Sequence, residues 1–231
     1  RFDYIAFGPQ LHDQPKVREL LAASLDYEGF QKLIFAEGLP GCSGLPAEWS
    51  PGLKCIYQTI RDKEFSPRVE MPKNLEYAYS LYAVEDLKRS AEWFQHSWKK
   101  NLGWNVKLKG MENKVILDRL RHDPPPLFRR ALTPEFPLCM SVLDVFTSNH
   151  PDNYIRLKNP QLDDLAKKLM GLDSLSPEAK KLCLEGLSYL IENRYIVPLG
   201  PMSFATLKKP KFKNLIMNGL YQMDLTRLEA E

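Results

Sequence analysis

The sequence predicts an α/β domain in which helices flank a mixed sheet. Three observations lead there: helical periodicities alternate with short apolar runs of strand type, proline and glycine fall between them, and no internal repeat occurs. With 231 residues the chain is one large domain or two small ones, long enough to bury a core without staples. Its 44% hydrophobic, 11% aromatic and 26% charged residues are those of a globular protein, which excludes disordered and low-complexity classes. A net charge of +3, from 32 basic and 29 acidic side chains, is too balanced to imply nucleic acid as partner. No apolar run approaches the roughly 18–20 residues of a membrane helix. The chain opens at Arg1 with no methionine, basic n-region or apolar h-region, so an upstream segment is expected to have been removed, and localisation is not readable from the terminus.

Residues 3–8 read as a strand. Pro15 then opens a helix at the position where its missing N–H costs nothing, with Val17, Leu20, Leu21 and Leu25 on one face. Asp26 is placed to cap a second helix carrying Phe30, Leu33 and Ile34, which Gly38 and Pro40 end. Residues 38–54, rich in Gly, Pro and Ser, read as a surface loop, and 55–80 as irregular extended chain because of Pro67 and Pro72. Val84, Leu87, Ala91, Phe94 and Trp98 recur at helical spacing up to Asn101 and Gly103, and Trp104, Val106 and Leu108 then alternate as in a strand. A helix is expected over 111–121, stopped by Pro124, Pro125 and Pro126, followed by a strand over 127–132 and a loop over 133–138 held by Pro134 and Pro137. Asn159-Pro160 and Ser176-Pro177 start two more helices, and 195–199 is a strand. The remainder is short-segmented and basic, and Lys208, Lys209, Lys211 and Lys213 read as a solvated face.

The chemistry is sparse. Cys42, Cys55, Cys139 and Cys183 show no zinc spacing; Cys42 and Cys55 bracket a loop and can pair in an oxidising compartment, while Cys183 falls on a helical apolar stripe and reads as core. Gly41-Cys42-Ser43-Gly44-Leu45 lacks the last glycine of a nucleophile elbow, and no phosphate-binding glycine loop occurs. His12, His96, His122 and His150 are scattered, so no metal or other cofactor is expected. Asp163-Asp164 and Glu85-Asp86 sit in first helical turns, where they oppose the helix dipole. Trp93, Phe94, Trp98 and Trp104 are expected in the core. Glu135 differs, because it stands beside Phe136 in a proline-bounded loop after a strand, the place where open α/β folds bind ligands. Its carboxylate beside an aromatic wall suits an ammonium group; an ordinary exposed loop acid is the other reading.

The order of these segments resembles the C-terminal lobe of family 5 bacterial extracellular solute-binding proteins, the oligopeptide, dipeptide and nickel receptors of ABC importers. Val17-Arg18-Glu19-Leu20-Leu21 through Leu25-Asp26-Tyr27-Glu28 resembles the family's "VR-x-AL…AIDR", and Trp98 through Val106 its "W…NLGI-x-V". Asn153-Tyr154, Asn159-Pro160 and Leu162-Asp163 resemble its "N…Y…NP…D", Val197-Pro198-Leu199 its "IPL", and Leu143-Asp144-Val145-Phe146 its "FLDLF". The resemblance implies that 1–231 is one lobe of a two-lobed clamp with a periplasmic-binding-protein-like type II fold, whose last 30 or so residues return toward the missing N-terminal lobe. It also implies a non-enzymatic protein, periplasmic or lipid-anchored outside the membrane, that binds a peptide or other small solute and delivers it to an ABC permease. Glu135-Phe136-Pro137 falls on the family's "DYP", so Glu135 would take the place of the aspartate that holds the peptide amino terminus, and Phe136 that of the tyrosine. The sequence departs from that motif: glutamate replaces aspartate, Leu138-Cys139 replaces "DP", and no tryptophan precedes. The extra methylene moves the carboxylate by more than about an ångström, enough to change the ligand length that fits. The alternative function is a ligand-sensing domain fused to a DNA-binding or signalling domain; hydrolase activity is a third reading.

Overall fold

The structure, a computed structural model, describes residues 2–34, 69–82, 85–133, 138–201, 209–217 and 223–230. Its central sheet holds β1 (Phe2–Phe7), β2 (Glu76–Ser80), β3 (Lys107–Met111), β4 (Leu127–Leu132) and β5 (Ile196–Pro201), in the spatial order β3-β2-β4-β1-β5. β2 is parallel to β3 and β4, whereas β1 is antiparallel to both β4 and β5, so β1 alone runs against the other four. The class is the expected mixed α/β.

Helices cover both faces. On one lie α1 (Pro15–Ala23), α2 (Tyr27–Ile34) and α3 (Glu85–Leu102); on the other lie α4 (Asn113–His122), α5 (Cys139–Leu143), α6 (Pro160–Met170) and α7 (Pro177–Glu192). The alternation of β1 decides which core each residue joins. Ile5 and Phe7 pack with Leu21, Phe30, Phe94 and Trp98, while Tyr4 and Ala6 pack with Leu120, Val142, Phe146 and Leu187. In the first core Phe30 and Phe94 have ring centroids 4.8 Å apart, and Tyr77 meets Trp98 edge to face at 5.6 Å; such pairs add about 0.5–1.5 kcal/mol beyond area burial. The Trp98 indole donates to the Leu21 carbonyl at 2.9 Å, fixing α3 to the end of α1.

Local signals explain the helix ends. Asp26 Oδ1 accepts from Gly29 N at 3.0 Å, Asn159 Oδ1 from Gln161 N at 2.8 Å, and Ser176 Oγ from Ala179 N at 3.1 Å. Asp163 sits in the first turn of α6, as expected of a dipole partner, and its Oδ1 also accepts from Ser148 N at 2.7 Å and pins the loop before that helix. Two expectations need correction. Residues 76–80, read as irregular chain, form β2; and the strand expected from Trp104 runs over Lys107–Met111, so Met111 ends a strand rather than starting a helix. The expected loop over 38–54 and the pairing of Cys42 with Cys55 lie outside the described residues.

α5 and α7 meet closely. A Cβ on Gly186 would lie 2.7 Å from Leu143 Cδ1, so a larger residue would have to push that buried side chain aside. One turn earlier, Cys183 forms a disulfide with Cys139, with Cα atoms 6.0 Å apart. Cys183 is buried as expected, but as half of a bridge. Among the described residues β6 (Phe212–Lys213) pairs with β9 (Glu229–Ala230), and β7 (Ile216–Met217) with β8 (Met223–Asp224), as two small antiparallel ribbons.

Candidate functional site

β2 and β4 are parallel neighbours, yet the helix that follows β2 packs on one face of the sheet and the helix that follows β4 packs on the other. Chain leaving adjacent strands toward opposite faces opens a crevice at their carboxyl ends, where open α/β sheets bind ligands. Residues 80–82 border it from β2, and 130–133 from β4. Leu81 and Tyr82 are exposed there, Tyr82 to 72%, and Tyr82 N donates to Ser80 Oγ at 3.1 Å, which turns the chain out of the strand. The sequence reading missed both residues because it placed no strand before them.

Beneath the rim lies an ion pair. Arg129 Nε donates to Asp3 Oδ1 at 3.1 Å, with the two side chains 5% and 2% exposed. Burial opposes the Arg129 charge, but the Asp3 carboxylate outweighs it and holds the guanidinium above its ordinary pKa. Tyr77 is fully buried nearby, and burial raises its pKa. The next residue, Arg130, belongs to the opposite face. Its guanidinium lies over the Tyr154 ring, 5.3 Å from the centroid, and the Tyr154 hydroxyl donates to Asp152 Oδ1 at 2.5 Å. Burial and that hydrogen bond raise the Tyr154 pKa.

Glu135 and Phe136 lie outside the described residues. Thr133 and Leu138 flank them: β4 ends just before Thr133, and Leu138 leads into α5, whose first residue is the bridged Cys139. Among the described residues no group of three or more His, Cys, Asp or Glu side chains could hold a metal ion. His122 stands beside Asp118 and His150 beside Asp144, at 3.2 and 3.7 Å. Phe94, Trp98 and Trp104 are core, as expected, and Trp93 is half-buried with its indole donating to Asp26 O at 3.1 Å. A separate open hollow of about 640 Å³ lies between the α1–α2 turn and the far half of α3, lined by residues including Asp26, His96 and Lys100.

The five-stranded mixed sheet with helices on both faces is a fold of the periplasmic-binding-protein-like type. Solved structures agree at the level of fold. The Escherichia coli murein tripeptide binding protein MppA superposes with a TM-score of 0.68 at 21% identity, over 86% of this chain and 42% of its own. The pheromone receptor PrgZ gives 0.75 at 20% identity, over 100% and 48%, and Listeria monocytogenes OppA bound to peptide gives 0.70 at 17%, over 99% and 48%. The chain therefore spans less than half the length of these proteins. No protein-family model matches the chain, and no curated protein matches it by sequence.

Proposed function

We propose that the chain is the solute-binding lobe of a two-lobed, non-enzymatic receptor that takes up peptides through an ABC-type importer, with Glu135 receiving the peptide's ammonium group and Phe136 walling it. The observation that carries this reading is the likeness of fold, along 86–100% of the chain, to proteins named as peptide binders, at the point where a crevice opens between β2 and β4. The partners would be the other lobe, toward which the last 30 or so residues return, and a membrane permease. A location outside the cytoplasmic membrane, with or without a lipid anchor, is supported by the Cys139–Cys183 disulfide, since such bridges persist in oxidising compartments. No helix among the described residues is long and apolar enough to cross a membrane.

Mass spectrometry of the material that copurifies with the full-length protein tests the reading, and a mixture of short peptides is the expected result. In calorimetry Glu135→Ala should cost on the order of 1–3 kcal/mol with peptides that have a free amine, and much less with their acetylated forms. Equal affinity of parent and variant would remove Glu135 from the site.

A further inference from the structure

We propose that the hollow between the α1–α2 turn and the far half of α3 is a second binding site, separate from the crevice, for a linear zwitterion with an ammonium at one end and a carboxylate at the other. Trp93, Ser97, Lys100 and Asn101 fall at helical spacing on the stripe of α3 that faces the turn. Hydrogen bonds pin the turn to that stripe at both ends. The Trp93 indole donates to Asp26 O at 3.1 Å, and Asn101 Nδ2 donates to Ser24 O at 2.6 Å. Eight residues of helix separate these clamps, about 12 Å along the axis. Between them stands Ser97, whose hydroxyl donates back to Trp93 O at 3.0 Å, so the stripe carries only a short side chain at its middle. Gly29 lets the Trp93 ring lie against α2: a Cβ there would stand 2.4 Å from Trp93 Cζ2. The outcome is a hollow of about 640 Å³ whose walls are held by named contacts.

Charge gives the ligand class. Asp26 is exposed, and only its Oδ1 is engaged among the described residues, by Gly29 N. Lys100 is exposed and has no ion-pair partner among the described residues. Asp26 is fixed at the Trp93 end and Lys100 springs from the Asn101 end, so one wall offers a carboxylate and the other an ammonium without the two neutralising each other. Seven residues of helix, about 10 Å along the axis, part Trp93 from Lys100, an interval that suits ligand charges separated by several methylenes. Ala23 and Leu25 border the hollow and give the methylenes an apolar surface. Because α3 runs back from the end of β2 toward the start of β3, this half of it lies at the amino ends of those parallel strands, opposite the crevice. Both sites can therefore be filled at once.

The test is calorimetry on the full-length protein with the ω-amino derivatives of butanoic, hexanoic and octanoic acid, each also as its methyl ester and its N-acetyl form. The hexanoic member should bind most tightly, and neutralising either end should weaken it about tenfold. Lys100→Met should remove the preference for the free acid over the ester, and Asp26→Asn the preference for the free amine over the N-acetyl form. Asparagine caps a helix as well as aspartate, so the second variant keeps the start of α2 intact. Ser97→Leu should fill the hollow and abolish binding of the whole panel. A parent protein that binds none of these compounds, or binding that Lys100→Met and Asp26→Asn leave unchanged, would overturn the assignment while leaving the receptor reading intact.

Discussion

Arg129 and Arg130 are sequence neighbours with opposite fates, because successive residues of a strand face opposite sides of the sheet. Arg129 is closed in with Asp3, and its neutral alternatives are poor: Arg129→Ala would strand a carboxylate in the core. Chemical denaturation should read a loss of about 3–5 kcal/mol for that variant. A loss below about 1 kcal/mol would mean that Asp3 finds water or a proton instead. His12 is a second telling residue. Its ring meets Tyr195 edge to face at 5.3 Å, and burial, then the charge of Arg18, lowers its pKa below 6.5. The folded protein thus prefers the neutral imidazole, while the unfolded chain takes up a proton near the ordinary value. The stability this contributes is complete above that value and is lost as the pH falls through it toward the lower folded pKa. Denaturation of His12→Gln should accordingly show a shallower decline from about pH 7 to about pH 5 than the parent. Parallel curves would place the proton uptake elsewhere.

At the scale of elements, the Cys139–Cys183 bridge closes a loop with a sequence separation of 44 and joins the start of α5 to the middle of α7. Replacing both cysteines by serine should cost about 2–4 kcal/mol, and a reducing agent should lower the parent's melting temperature but leave the double variant unmoved. An equal response of the two proteins to reductant would show that the bridge contributes nothing. This pairing was not readable from sequence, since Cys183 sits on an apolar helical stripe where a thiol and a half-cystine look alike. The helices were legible because caps and 3.6-residue spacing agree within each one, as with Asn159-Pro160 and Ser176-Pro177. β2 was not. It lies between β3 and β4 with Tyr77, Ala78 and Tyr79 all buried, so it carries no polar alternation to mark it. β3 is the sheet's edge, where Lys107 and Lys109 guard an open side, and the alternation of Trp104 and Val106 belongs to the lead-in that packs under α3.

For the whole molecule, segment order carried more information than any one motif. It predicted a mixed sheet flanked by helices, and the structure has such a sheet with helices on both of its faces. What order could not reveal is which side chains meet across the sheet: the partnership of Asp3 with Arg129 spans 126 positions, and that of Arg130 with Tyr154 depends on a loop folded back over β4.

The placement of β1 has a kinetic side. Its residues Tyr4 to Phe7 are sealed between β4 and β5, whose segments begin at Leu127 and Ile196, so the first part of the sheet to be synthesised is among the last to be completed. At ribosomal speeds of about 5–20 residues per second, a nascent Phe-Asp-Tyr-Ile-Ala-Phe segment waits roughly 10–40 s for its second neighbour, and until then at least one of its edges is bare.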